Sequence, residues 1–169
     1  GANPDGTVTY HRPPKRGGSR FRRPFAPYGV FYAAERIRTA LAELAFHRYR
    51  FFRASEGTDL PGQEAQLTVF AADYATEMGI DLTVGDLAHH RAQWTHPSDY
   101  SATQGLGETA TEANFGAIRY ESVRDPETDH HGNGAGRNVG LLSPEVFLHP
   151  DPLKPQTWYL YLGLQEANV

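Results

Sequence analysis

Residues 28–52 read YGVFYAAERIRTALAELAFHRYRFF. The run Val30–Phe31–Tyr32 predicts a short buried strand over 30–33, and the longest helical pattern in the chain comes directly after it. Ile37, Ala40, Leu41, Leu44 and Ala45 recur at three-to-four spacing, so a helix over 35–52 would carry one apolar face. Its other positions are mostly good helix formers, and Phe51 and Phe52 extend the apolar load to its end. A strand feeding directly into such a helix is a core unit around which the rest of the chain is expected to pack. Glu43 falls beside the stripe, about 60° round the wheel from Ala40, with Arg36, His47 and Arg50 on the same flank. A carboxylate there is either an ordinary solvated residue or one held by its helix at the edge of a cleft.

For the chain as a whole, 169 residues suffice for one sizeable core and are few for two. The charged fraction of 21% and aromatic fraction of 12% are those of a globular protein. A net charge of −4 gives no global argument for nucleic-acid binding. The chain has no cysteine, which excludes disulfides and thiolate chemistry and suits the cytoplasm. No apolar run approaches the length of a membrane span, so no membrane association is expected. The chain opens on Gly1 and reads at first as loop. The expectation is one domain over 1–169 lacking an N-terminal portion, with 1–18 a loop-rich leader holding at most an edge strand at 7–10. Arg12, Lys15, Arg16, Arg20, Arg22 and Arg23 gather at this end. They form either a solvated basic loop or a clamp for a small anion such as a pyrophosphate.

Further along, Ser19–Phe21 is a candidate short strand. Ala65, Leu67, Val69 and Ala71 alternate along a strand at 64–72, and Tyr74 to Met78 is a possible helical turn. Residues 80–84 form a short strand or connection. Residues 85–104 are polar and aromatic, and a helix over 101–115, capped by Asp99 or Ser101, is weakened by two glycines. Ile118, Tyr120 and Ser122 share one side of a strand over 117–123, with Ser122 at its end before an Asp–Pro turn. Residues 139–142 and 157–164 complete the strands, the last expected to pair in the main sheet, with Pro150, Pro152 and Pro155 marking a loop between. The fold class is α+β, with short split sheets around one central helix and a few smaller helices, unlike the regular alternation of a doubly wound sheet.

Motifs exclude more than they assert. His89 and His90 point apart and no HExxH occurs, so no metal site is expected. Ser122 has no GxSxG context, and the Gly-rich segment 125–138 opens no helix. Ser122 is either a turn hydroxyl or a hydrogen-bonding group for a ligand.

Four stretches in order carry a resemblance: SRF at 19–21, GVFYAAERIRTALAE at 29–43, IRYESVRDP at 118–126 and RNVGLLSPEVF at 137–147. Together they resemble the RES domain, the toxin component of RES/Xre toxin–antitoxin pairs. The resemblance covers about 19–147. It implies an ADP-ribosyltransferase-like fold enclosing a pocket for NAD⁺, which is consumed as substrate at its nicotinamide–ribose bond. ADP-ribose would pass to a protein, to phosphate or to water. It further implies a helix-turn-helix Xre-like antitoxin as partner, in a homo-oligomer or a toxin–antitoxin hetero-oligomer, with a target protein as possible acceptor. Carried over by position, the resemblance implies Arg20 on the pyrophosphate, Tyr32 walling the nicotinamide, Glu43 stabilising the ribosyl cation, and Ser122 orienting Glu43 or binding the ribose. It adds Arg124 to the NAD⁺-binding set. The family's upstream arginine sits on a strand, whereas Arg12 and Arg16 here lie in a Pro/Gly loop, and the 130–136 loop is longer than the family's Gly–Gly turn. The alternative is a catalytically inactive domain of the same fold that binds a phosphorylated ligand or a protein.

Overall fold

A computed structural model of the chain describes residues 18–54, 64–125, 135–162 and 167–168. Arg12, Arg16, the candidate strand at 7–10 and most of the 130–136 loop lie outside the described residues. The predicted central unit is present, as strand β1 (Phe31–Ala34) and helix α1 (Ile37–Ala54). Next come β2 (Ala65–Ala71), β3 (Gly79–Asp81), two one-turn helices α2 (Gly85–Ala88) and α3 (Arg91–Trp94), and helix α4 (Ser101–Glu112). Strands β4 (Ala117–Glu121) and β5 (Arg137–Leu141), a 3₁₀ turn at Pro144–Val146, and strands β6 (Leu153–Leu162) and β7 (Ala167–Asn168) complete the chain. The fold is α+β.

The main sheet runs β1-β5-β4-β3, with β3 and β4 parallel and the other pairs antiparallel. A parallel pair needs a long crossover, and α2 to α4 supply it. Period-two alternation divides the sheet's residues between two apolar layers. Ile118 and Tyr120 face Phe21, Leu82, Ala110 and Leu142 on one side. Ala117, Val139 and Leu141 face Val146, Phe31 and Phe147 on the other. Arg119 laces the sheet's rim, its guanidinium meeting Glu35 at 2.5 Å and Asp81 at 2.7 Å.

Several expectations change. Strand β6 does not join the main sheet; it pairs with β2 in a second sheet, β2-β6-β7, and Pro155 lies within it rather than in a loop. Alternation identifies a strand but not its neighbour, which the chain's path decides. Ser19–Phe21 is a turn closed by Ser19 and Arg22, whose amides each donate to the other's carbonyl. Tyr74 to Met78 forms no helical turn: Tyr74 bridges to Phe147 instead. Along α1, Leu41 is 5% exposed as expected, but Ile37 is 38% and Phe51 67% exposed, while Thr39 is fully enclosed. Thr39 is enclosed because its hydroxyl meets the buried Asp125 carboxylate at 2.8 Å.

One of the two glycines of α4 also finds a reason. A Cβ on Gly107 would sit 2.1 Å from the Phe21 carbonyl oxygen, so the helix presses onto the Phe21 turn where only glycine fits. Among the described residues, no helix is long and apolar enough to cross a membrane.

Candidate functional site

Glu43 leaves α1 on the same face as Thr39, one turn earlier, and points at the ends of β4 and β5. Its Oε1 accepts two hydrogen bonds at 2.7 Å, one from the Ser122 hydroxyl and one from Asn138 Nδ2. Among the described residues nothing engages Oε2. Ser122, 2% exposed, is itself fixed, because its Oγ accepts the amides of Arg124 and Asp125 at 3.1 Å each. Asn138 is enclosed on the inner strand β5, in register with Tyr120 of β4.

This carboxylate lines a cavity of ≈ 410 Å³, walled also by Arg20, Tyr32, His47, Tyr100, Tyr120 and Arg124. Arg20 Nη1 donates to the carbonyls of Trp94 at 2.8 Å and His96 at 3.2 Å, and Nη2 reaches His96 at 3.3 Å. The guanidinium lies 4.6 Å above the Tyr100 ring. Among the described residues, these carbonyls leave Nε–H and the second Nη2–H unengaged. The Tyr32 hydroxyl accepts the Phe21 amide at 3.0 Å and meets Ser19 Oγ at 2.9 Å. Burial of that hydroxyl raises its pKa against the opposing pull of these bonds. Tyr120 is pushed up further, again chiefly by burial, and then by Tyr32 and Glu43.

Arg124 spreads over the Phe46 ring at 3.4 Å and donates to the Pro97 carbonyl at 2.9 Å. Two arginines therefore share the cavity with the acid, Arg20 held by two carbonyls and the Tyr100 ring, Arg124 by one carbonyl and the Phe46 ring. His47, one turn beyond Glu43, has its pKa lowered by burial first; Glu43 opposes this, and Arg124, Arg50 and Arg20 reinforce it. A larger cavity of ≈ 570 Å³ meets this one at the β1–α1 junction, but its floor is aliphatic, with Leu41, Leu67, Val69 and Val139. Its charged groups, among them Glu35, Arg36 and Lys154, accompany that floor, whereas the smaller cavity holds the Glu43 carboxylate fixed by Ser122 and Asn138 together with Arg20 and Arg124, so the smaller cavity is the candidate site.

Arg20, Tyr32, Glu43 and Arg124 thus line one cavity, and Ser122 stands behind Glu43. Asn138, His47, Tyr100 and Tyr120 were not singled out by sequence reasoning. His47 carried a signal, lying on the Glu43 flank of the helix; Asn138, read as the end of the Gly-rich segment 125–138, carried only its place in the stretch RNVGLLSPEVF. Among the described residues, no three His, Asp or Glu side chains are grouped to hold a metal.

The RES domain family model matches residues 4–162. The chain belongs to the RES domain family. No curated protein matches it. RES domains are linked to toxin–antitoxin systems, and the match spans every element from β1 to β6 and the whole candidate cavity.

Proposed function

We propose that this RES domain is the toxin of a toxin–antitoxin pair, cleaving the nicotinamide–ribose bond of NAD⁺ and passing ADP-ribose to a protein, phosphate or water. The observation that carries this reading is Glu43, whose Oε1 is pinned by Ser122 and Asn138 in a cavity that Arg20 and Arg124 also line.

In the reaction the ribose C1′–N bond breaks and its electron pair leaves with the nicotinamide nitrogen, which becomes neutral. The ribosyl centre left behind is cationic, and the acceptor then bonds to C1′ and sheds its proton. A fixed negative oxygen beside the ribose favours that cation over the ground state without reorganising. Ser122 and Asn138 hold the acid's geometry, Arg20 and Arg124 bind the pyrophosphate, and the Tyr32 ring walls the nicotinamide. NAD⁺ is here a substrate, and the proposed chemistry calls for no metal. An Xre-like helix-turn-helix antitoxin would neutralise the enzyme in the cytoplasm.

The test is nicotinamide release from NAD⁺. The parent should release it and Glu43→Gln should lose nearly all turnover while still binding NAD⁺. Release by the variant at the parent rate, or NAD⁺ binding by the parent without release, would overturn the reading, the second outcome pointing to an inactive binding domain. Labelled NAD⁺ in lysate then separates acceptors: a discrete labelled protein band marks transfer, and phosphate-dependent release marks phosphorolysis.

A further inference from the structure

Behind the Glu43–Ser122 pair lies a second contact between the same two parts of the chain. Thr39 and Glu43 share a face of α1 one turn apart. Glu43 reaches Ser122, and Thr39 Oγ1 donates to Asp125 Oδ2 at 2.8 Å. Asp125 is 4% exposed, and its other oxygen pairs with Arg38 Nη2 at 3.0 Å. A carboxylate this enclosed is tolerated only with such partners. The turn it anchors is closed by backbone bonds, the Ser122 amide donating to the Gly136 carbonyl and the Gly136 amide to the Asp125 carbonyl, each at 2.8 Å. Gly136 admits no side chain, since a Cβ there would stand 2.5 Å from both Asp125 Oδ2 and Thr39 Oγ1.

A hydroxyl has one hydrogen and two acceptor positions. The amides of Arg124 and Asp125 fill the acceptor side of Ser122 Oγ, which leaves its hydrogen for Glu43 Oε1. The direction of that O–H therefore depends on where the 122–125 turn sits, and the Thr39–Asp125 contact fixes the turn to the helix that bears Glu43.

We infer that Asp125, clasped by Thr39, is a positioning residue that sets the aim of Ser122 at Glu43. The inference rests on the proposed cleavage of NAD⁺ and assigns a further residue to that site. A purely structural anchor would lower melting temperature and activity together, in any background. A positioning residue acting through Ser122 should lose its effect when the serine hydroxyl is gone.

The experiment measures kcat and KM for nicotinamide release, with melting temperatures, for Asp125→Ala, Asp125→Asn and Thr39→Val in the parent and in Ser122→Ala. Misplacement of a catalytic group by 1 Å costs on the order of 10²-fold. Asp125→Ala and Thr39→Val should lower kcat by about tenfold or more with little change in KM. Asp125→Asn, whose side-chain carbonyl still accepts from Thr39, should recover most of the loss. In the Ser122→Ala background neither substitution should lower kcat further. Equal losses in both backgrounds, or parent kcat for Thr39→Val, would overturn the inference; Thr39→Val, close to isosteric, serves where Asp125→Ala fails to fold. A parent that releases no nicotinamide would instead sink the proposed function. The link is then read by hydrogen exchange: the Arg124 and Asp125 amides should exchange faster in Thr39→Val, and unchanged protection would overturn it.

Discussion

Arg20 shows how little of a side chain's role is contained in its type. Its guanidinium is already bonded to the carbonyls of Trp94 and His96 and stacked on Tyr100, so the cavity meets a charge in fixed orientation. A lysine supplies the charge without the planar fork. Arg20→Lys should therefore raise the KM for NAD⁺ nearly as much as Arg20→Ala, by about tenfold or more for loss of charge-assisted bonds, with kcat less affected; unchanged NAD⁺ affinity on titration would refute the role. Asn138 offers the opposite case, a residue whose donor alone matters. Asn138→Asp keeps the volume but sets an acceptor 2.7 Å from Glu43 Oε1. It should depress nicotinamide release more than Asn138→Ala does, measured at equal folded fraction. Glu43 could be picked out because helical periodicity placed it beside an apolar stripe. Of its partners, Ser122, 79 residues away, was reached only through the family resemblance, and Asn138, 95 residues away, was not reached at all.

Among the elements, α1 and α4 are held by opposite devices. Leu41 is the enclosed aliphatic of α1, and Leu41→Ala should lower stability by about 2–5 kcal/mol. An unchanged denaturant midpoint would mean that the helix presents another face. Gly107 in α4 inverts the usual expectation, since glycine to alanine in a helix interior normally gains about 1 kcal/mol. Here the added Cβ would meet the Phe21 carbonyl oxygen at 2.1 Å, so Gly107→Ala should lower the melting temperature. It should also disturb NAD⁺ binding through the turn that carries Arg20. Periodicity located α1, and the candidate cap at Asp99 or Ser101 located α4, each to within a few residues, since both signals are local. It misjudged which residues of α1 are enclosed, because Thr39 is buried by a distant carboxylate and Ile37 is left half-exposed.

For the whole molecule, the clearest electrostatic consequence lies in the cleft. Burial, with Arg124, Arg50 and Arg20, holds the His47 pKa below its ordinary 6.5, and Glu43 only partly offsets them. The folded state then binds fewer protons than the unfolded one as pH falls through about 6.5 toward the folded value, so this contribution to stability is lost on acidification. Melting temperatures between pH 7.5 and 5 should fall less steeply for His47→Gln than for the parent; parallel curves would show that His47 is not the group responsible. Sequence alone was enough for the α+β class, the strand-to-helix unit around Tyr32 and Glu43, and the likeness to the RES domain family. All three rest on local periodicity and on short motifs in order. The folded chain was needed to show that β6 pairs with β2 outside the main sheet, that Asn138 shares Glu43 with Ser122, and that Thr39 and Asp125 clasp behind them. Those depend on which distant residues the chain's path brings within hydrogen-bond reach, and no local pattern encodes that distance.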